Sequence, residues 1–237
     1  MFGLLFLLTL STGAQAKPTL IWLLRDLPPL TIFEGPKKGQ GVIDQLMPML
    51  IAGMPQYEHT LMRVNRARGM QMLHEPSFTC DPSLIWSKER TQWIAFSIPA
   101  FRAVSNGLVV RQKDRNVLAP YLIDGEVDLT AFLANGEIKV GVVAERSYGE
   151  FLDTLLKQAP DGALTPHYGN DALSSLLSMQ RLGRLQVVLG YSPEIRYQAH
   201  QAQIAEDELV EITPKNIRIR KRFLKEHERK KASRDAA

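Results

Sequence analysis

Short apolar runs alternate with amphipathic or polar stretches along most of the chain, and that alternation restricts the fold more than any other feature. Thr19–Leu24 (TLIWLL), His59–Val64, Gly107–Arg111 (GLVVR), Ile138–Ala144 (IKVGVVA), Leu185–Leu189 and Leu209–Ile212 each have the length of a strand. TLIWLL is apolar at odd and even positions alike, the pattern of a strand covered on both faces of a sheet. Between these runs, Val42–Met54 is apolar enough for a helix, which Pro48 is expected to kink or divide. Ser147-Tyr148-Gly149-Glu150 has the spacing of a capping box, and Phe151, Leu152, Leu155 and Leu156 form one apolar stripe before Pro160. Asn170 is expected to cap a further helix that turns Leu173, Leu176 and Leu177 inward and ends at Gly183. Strands alternating with helices imply open α/β layers, and 237 residues at 45% hydrophobic content suit two small lobes better than one large sheet.

Several function classes fall away at once. A single cysteine, Cys80, excludes a disulfide scaffold and any Cys-rich metal site. The five histidines are scattered and form no H-E-x-x-H or similar cluster, so neither a metal nor a cofactor is expected. The formal charge of +4 suggests nucleic acid only until the charge is located. Residues 215–237 hold ten Lys/Arg against three Asp/Glu, a net +7, which leaves −3 on residues 1–214. The basic character belongs to a tail. At the other end, residues 1–16 (MFGLLFLLTLSTGAQA) form an apolar run ending in Ala14-Gln15-Ala16, a small-x-small cleavage site. Phe2–Leu10 is too short to cross a hydrocarbon core of about 30 Å, so the expectation is a cleaved export signal and a periplasmic chain starting at Lys17.

Five segments, in one order, then carry a resemblance. They are Arg25-Asp26-Leu27-Pro28-Pro29 after the first strand, Gly41-Val42-Ile43-Asp44-Gln45-Leu46, and Ser87-Lys88-Glu89-Arg90-Thr91-Gln92-Trp93-Ile94-Ala95-Phe96-Ser97, followed by Lys139-Val140-Gly141-Val142 and Leu182-Gly183-Arg184-Leu185-Gln186. Together the chain resembles an extracellular solute-binding protein of family 3, the class that serves amino-acid ABC importers, in a divergent branch. The resemblance implies an α/β, periplasmic-binding-protein-like type II fold with two lobes and a ligand cleft between them. It implies a first lobe over 17–106, a second over 107–199, a return crossing at 200–214 and a basic tail at 215–237. The implied protein is a monomer that captures a small solute by lobe closure, with an ABC permease or a membrane sensor as partner and no nucleic acid.

The same resemblance assigns candidate ligand residues. It places Arg90 on the family arginine that grips a ligand carboxylate, a task suited to the planar two-point donor fork of a guanidinium. Ser147 falls in the second-lobe loop that supplies hydroxyl and backbone donors, with Arg146 beside it as a charged replacement. Tyr191 stands where the family holds the ligand ammonium with an acid, and Glu194 lies three residues on. A tyrosine cannot neutralise a buried ammonium, so an anionic, aromatic or peptide-like solute is as open as an amino acid. Asp26 is a first-lobe acid that could replace the missing partner, and Trp86 lies inside the proposed binding loop.

Three classes stay open on these residues. The first is a solute receptor for transport or sensing. The second is a cleft enzyme on the same fold, of the cyclohexadienyl-acid dehydratase kind, for which His167, Glu145 and Glu194 are available as acid or base. The third is a degenerate lobe pair that binds other proteins. The tail carries only Ile217, Ile219, Phe223 and Leu224 as bulky apolar residues. It reads as a solvated extension, or as the product of a reading-frame change near Glu211.

Overall fold

β1 (Thr19–Leu24) is the centre of a three-stranded parallel sheet, and it shows why the first lobe forms as it does. The computed structural model describes residues 16–101, 106–205 and 208–212. The expected signal segment and the basic tail lie outside those residues, apart from Ala16. After β1 come α1 (Val42–Ala52), β2 (Glu58–Arg63), α2 (Arg66–His74) and β3 (Thr79–Cys80), with β2 and β3 flanking β1 on either side. Leu20, Trp22 and Leu24 project to one face of β1 and pack against Ile43 and Met47 of α1. Trp22 also donates its indole N–H to His59 Nδ1 at 3.1 Å, which satisfies the polar atom of an otherwise buried ring.

α1 runs unbroken through Pro48, against the expected division. Its start is fixed elsewhere: Asp44 accepts the Gly41 and Ile32 amide hydrogens, both at 2.9 Å, and so closes the helix end and pins the preceding loop.

The second lobe continues with β4 (Asn106–Arg111), β5 (Leu122–Ile123), β6 (Glu126–Val127), α3 (Leu129–Asn135), β7 (Val140–Val143), α4 (Glu150–Lys157), β8 (Leu164–His167), α5 (Ala172–Arg181), β9 (Val187–Tyr191), α6 (Ser192–Gln201) and β10 (Leu209–Ile212). Its main sheet has the order β10-β4-β9-β7-β8, while β5 and β6 form a separate hairpin. β7 pairs in parallel with β8 and β9, whereas β4 runs antiparallel to both of its neighbours, β9 and β10. β10 therefore keeps residues 209–212, inside the stretch expected to cross back, at the edge of the second-lobe sheet.

Period-two alternation fills both faces of this sheet. Leu108, Val110, Val140, Val142, Val187 and Leu189 enter one core with Phe132, Tyr148 and Leu152. Val109, Val143 and Val188 enter the other with Leu173, Leu176, Leu177 and Ile195. Gly141 lets α5 settle on β7, since a Cβ there would lie 2.4 Å from Leu185 Cδ2 and 2.8 Å from Leu176 Cδ2. Gln180 is fully buried on α5, and its amide donates to the Val109 and Gln186 carbonyls at 2.7 Å each, bridging strand and turn.

Two helix starts differ from expectation. Gly149, at φ 97°, precedes α4, and Ser147 is no N-cap. Asp153 reaches back instead, accepting the Tyr148 amide and the Ser147 hydroxyl, both at 2.6 Å. An ionised carboxylate is the stronger acceptor for these donors. At α5 the preceding residue is Asp171, not Asn170, and it binds the hydroxyls of Ser174 and Ser175.

Candidate functional site

The carboxyl ends of the parallel strands in both sheets face one cleft, where open α/β sheets characteristically hold ligands. Arg25, Asp26 and Leu27 follow β1, and Arg66 opens α2 just after β2. From the second lobe, Val143 ends β7, Arg146 stands on the loop after it, and Asn170 and Leu173 flank the start of α5. The space they enclose is small, about 30 Å³, and opens to solvent.

Three guanidinium groups dominate the lining. The Arg25 side chain is 9% exposed, pairs with Asp81 Oδ2 at 3.1 Å and donates to Ser83 Oγ at 2.7 Å. Ser83 in turn donates its amide and its hydroxyl to Asp81 Oδ1, both at 2.8 Å, so the acid is locked before the arginine meets it. The Arg146 side chain is 5% exposed and makes a two-point contact with Glu194: Nη1 to Oε2 at 2.5 Å and Nη2 to Oε1 at 3.0 Å. Its guanidinium also lies 5.0 Å from the centre of the Tyr191 ring. Burial acts to lower the Arg146 pKa, but the Glu194 charge and its hydrogen bonds outweigh burial and hold it above the usual value.

Arg66 is different. Among the described residues no carboxylate pairs with it and no hydrogen bond reaches its guanidinium. Burial first, then repulsion from Arg25 and Arg146, lowers its pKa from the usual guanidinium range to about 10, with Tyr191 and Asp81 acting the other way. It stays charged at neutral pH.

The loop that carries Arg146 is held by two tyrosines. The Tyr148 hydroxyl accepts the Val143 amide hydrogen at 2.8 Å, and the Tyr148 carbonyl accepts the Asn106 side-chain amide at 2.8 Å. The Tyr191 hydroxyl donates to the Ser147 carbonyl at 2.6 Å. Burial raises the pKa of both phenols, with the nearby Arg146 charge opposing it, so both remain protonated hydrogen-bonding groups at neutral pH. Tyr148→Phe is expected to cost about 1–3 kcal/mol in a urea titration, because the Val143 amide is left buried without its acceptor. A loss within about 0.3 kcal/mol would show that another acceptor takes over.

The candidates read from sequence separate into two groups. Arg146 and Asp26 line the cleft, Asp26 also accepting the Phe33 amide at 3.3 Å, while Glu194 and Tyr191 contact Arg146 without lining it themselves. The Ser147 hydroxyl is taken up by Asp153 and by the Gly149 amide. Arg90 lies on a short 3-10 turn, Arg90–Gln92, and donates to the Ile85 carbonyl at 2.8 Å. Trp86 is 45% exposed, and neither it nor Arg90 lines the cleft. Arg25 and Arg66 are the residues that sequence reasoning passed over. The available signal was their position immediately after two successive strands.

Comparison with known proteins gives two results for different lengths of the chain. Residues 186–226 match the model of the TypA/BipA C-terminal domain, less than a fifth of the sequence. A curated relative of that segment is the large ribosomal subunit assembly factor BipA of Buchnera aphidicola subsp. Schizaphis graminum (strain Sg), 78% identical over 32 residues. That match spans 14% of this chain and 5% of the length of that protein. Solved structures match far more of the chain at low identity. A histidine kinase sensor domain with similarity to periplasmic binding proteins aligns with TM-score 0.63 and 14% identity, over 84% of this chain and 77% of that one. The arginine-bound form of a truncated arginine-binding protein from T. maritima aligns with TM-score 0.56 and 18% identity, over 83% of this chain and 82% of that one. The sheets, their helices and the cleft between them are thus those of an α/β, two-lobed, type II periplasmic-binding-protein-like fold.

Proposed function

We propose that this chain is an exported solute-binding protein that captures a small, carboxylate-bearing solute between its lobes. It delivers that solute to an ABC permease or a membrane sensor and makes or breaks no bond itself. The observation that carries the reading is the cleft, to which each lobe contributes strand ends and buried guanidinium groups. Binding energy there is available for lobe closure, because a ligand touching both lobes favours the closed arrangement by its differential contacts. The solved structures of similar fold include arginine-binding proteins and a sensor domain, which fits either destination. The short match to the ribosomal assembly factor does not enter this reading.

Arg90 is retained as a second carboxylate contact, reached when the lobes close. Arg90→Ala is then expected to weaken binding roughly 30-fold or more, with Arg90→Lys recovering part of the loss. The test is thermal-shift screening of small carboxylic acids, followed by calorimetry of the hits and proton NMR of the same mixtures. Saturable heat with unchanged NMR spectra supports the receptor. Conversion of the acid would transfer the cleft to the enzyme class.

A further inference from the structure

The cleft sets Arg25, Arg66 and Arg146 among the acids Asp81, Glu194 and Asp26, yet leaves one guanidinium without an ion pair among the described residues. Arg25 has Asp81 and Arg146 has Glu194, but Arg66 faces the same space without an acid partner among the described residues. Two further donors are unmet: the Nε–H groups of Arg25 and Arg146 are buried with no hydrogen-bond partner. Those side chains are 9% and 5% exposed. Such an arrangement is costly when empty of anions. Burial, with repulsion from Arg25 and Arg146, lowers the Arg66 pKa to about 10 in the folded chain, below its unfolded value. Its charge therefore opposes folding at every pH below about 10, and the penalty fades only as the pH climbs past that value. Groups that lower stability in the empty state and converge on one cleft mark a site whose ligand supplies what they lack.

We propose that Arg66 is the anchor for an oxyanion group of the solute, a carboxylate or a phosphate, with Arg25 and Arg146 as flanking donors. This rests on the receptor reading and narrows it. Arg66 comes from the first lobe and Arg146 from the second, so one anion drawn between them links closure to charge neutralisation. A planar guanidinium suits a carboxylate or a phosphate through two-point donation. Arg66, with no acid paired to it among the described residues, repels a cationic side chain brought to the same place. The cleft is therefore selective against basic amino acids, in contrast to the arginine-binding proteins that share its fold.

The test is calorimetry on the full chain with L-glutamate, inorganic phosphate and L-arginine at millimolar concentrations, alongside thermal melts. Wild type is expected to bind glutamate or phosphate saturably and to show no uptake of arginine. Glutamate without phosphate identifies a carboxylate site, and the reverse identifies a phosphate site. Arg66→Gln is expected to lose about 30-fold or more in affinity for the anion that binds, while its ligand-free form melts about 2 °C or more above wild type. Arg66→Lys keeps the charge and is expected to fall between the two. Equal anion affinity in wild type and Arg66→Gln would overturn Arg66 as the anchor and leave the receptor reading standing. Uptake of arginine in preference to both anions would overturn the selectivity, again without touching lobe closure. No heat with any of the three probes would overturn the proposal outright.

Discussion

Glu194→Ala is expected to cost the fold about 3–5 kcal/mol, the usual penalty for removing one partner of a buried ion pair. Arg146 and Glu194 side chains are only 5% and 7% exposed and meet through two hydrogen bonds. Without the acid, the Arg146 guanidinium stays charged in a space that already leaves its Nε–H unmet. The loop that bears it is tied to β9 through the Tyr191 hydroxyl, so the strain is delivered to the second lobe's sheet as well. Replacing both residues with methionine removes the charge together with its partner, and this double variant is expected to lose much less than Glu194→Ala alone. Urea unfolding with an unchanged slope supplies the measurement. A loss under about 1 kcal/mol for the single variant would show that water reaches the pair.

Gly41→Ala is expected to destabilise the first lobe by about 2–3 kcal/mol. The cause is space, since Gly41 has an ordinary φ of −69°. An added Cβ would lie 2.3 Å from the Leu30 carbonyl oxygen and 2.8 Å from Asp44 Oδ2. Neither neighbour is free to yield. The Leu30 oxygen accepts the Ile43 amide at 2.7 Å, and Asp44 Oδ2 holds the Gly41 and Ile32 amides. Relief of the clash therefore breaks the contacts that start α1 and fix the loop leading from the cleft residues Arg25–Leu27. Denaturant titration of the variant checks this, and a loss below about 0.5 kcal/mol would mean that the loop has a second arrangement of equal stability.

The strands were legible in the sequence because burial on both faces leaves an unmistakable mark: GLVVR and TLIWLL admit few other readings. The second-lobe helices α4 and α5 were legible for the same reason, through Leu152 and through Leu173, Leu176 and Leu177. α3 was missed although it buries Leu129, Phe132 and Leu133, whereas two other missed helices lack such a mark. α2 (RARGMQMLH) buries only Gly69 and Met72, and its start depends on the Asn65 side chain accepting the Arg68 amide at 2.8 Å. α6 hides behind Pro193, which reads as a turn residue but sits in the first turn of the helix, where no intrahelical N–H is required. The site divides along similar lines. Arg146, Tyr191 and Glu194 lie in segments that the family resemblance assigns to ligand contact. The only local signal for Arg66 is its place just after a strand, because its meaning depends on the carboxyl end of β2 standing opposite a loop eighty residues away in the other lobe. The chemistry of the cleft is a product of topology, and a list of charged residues does not reveal which of them will be left without a partner.

Small-angle X-ray scattering across a ligand titration tests the central claim most directly, since two lobes that close on a solute must contract. With the carboxylic acid selected by thermal shift, the radius of gyration is expected to fall and then level off at the same saturation point as the calorimetric heat. Saturable heat with a radius of gyration unchanged from the ligand-free protein would contradict capture by lobe closure.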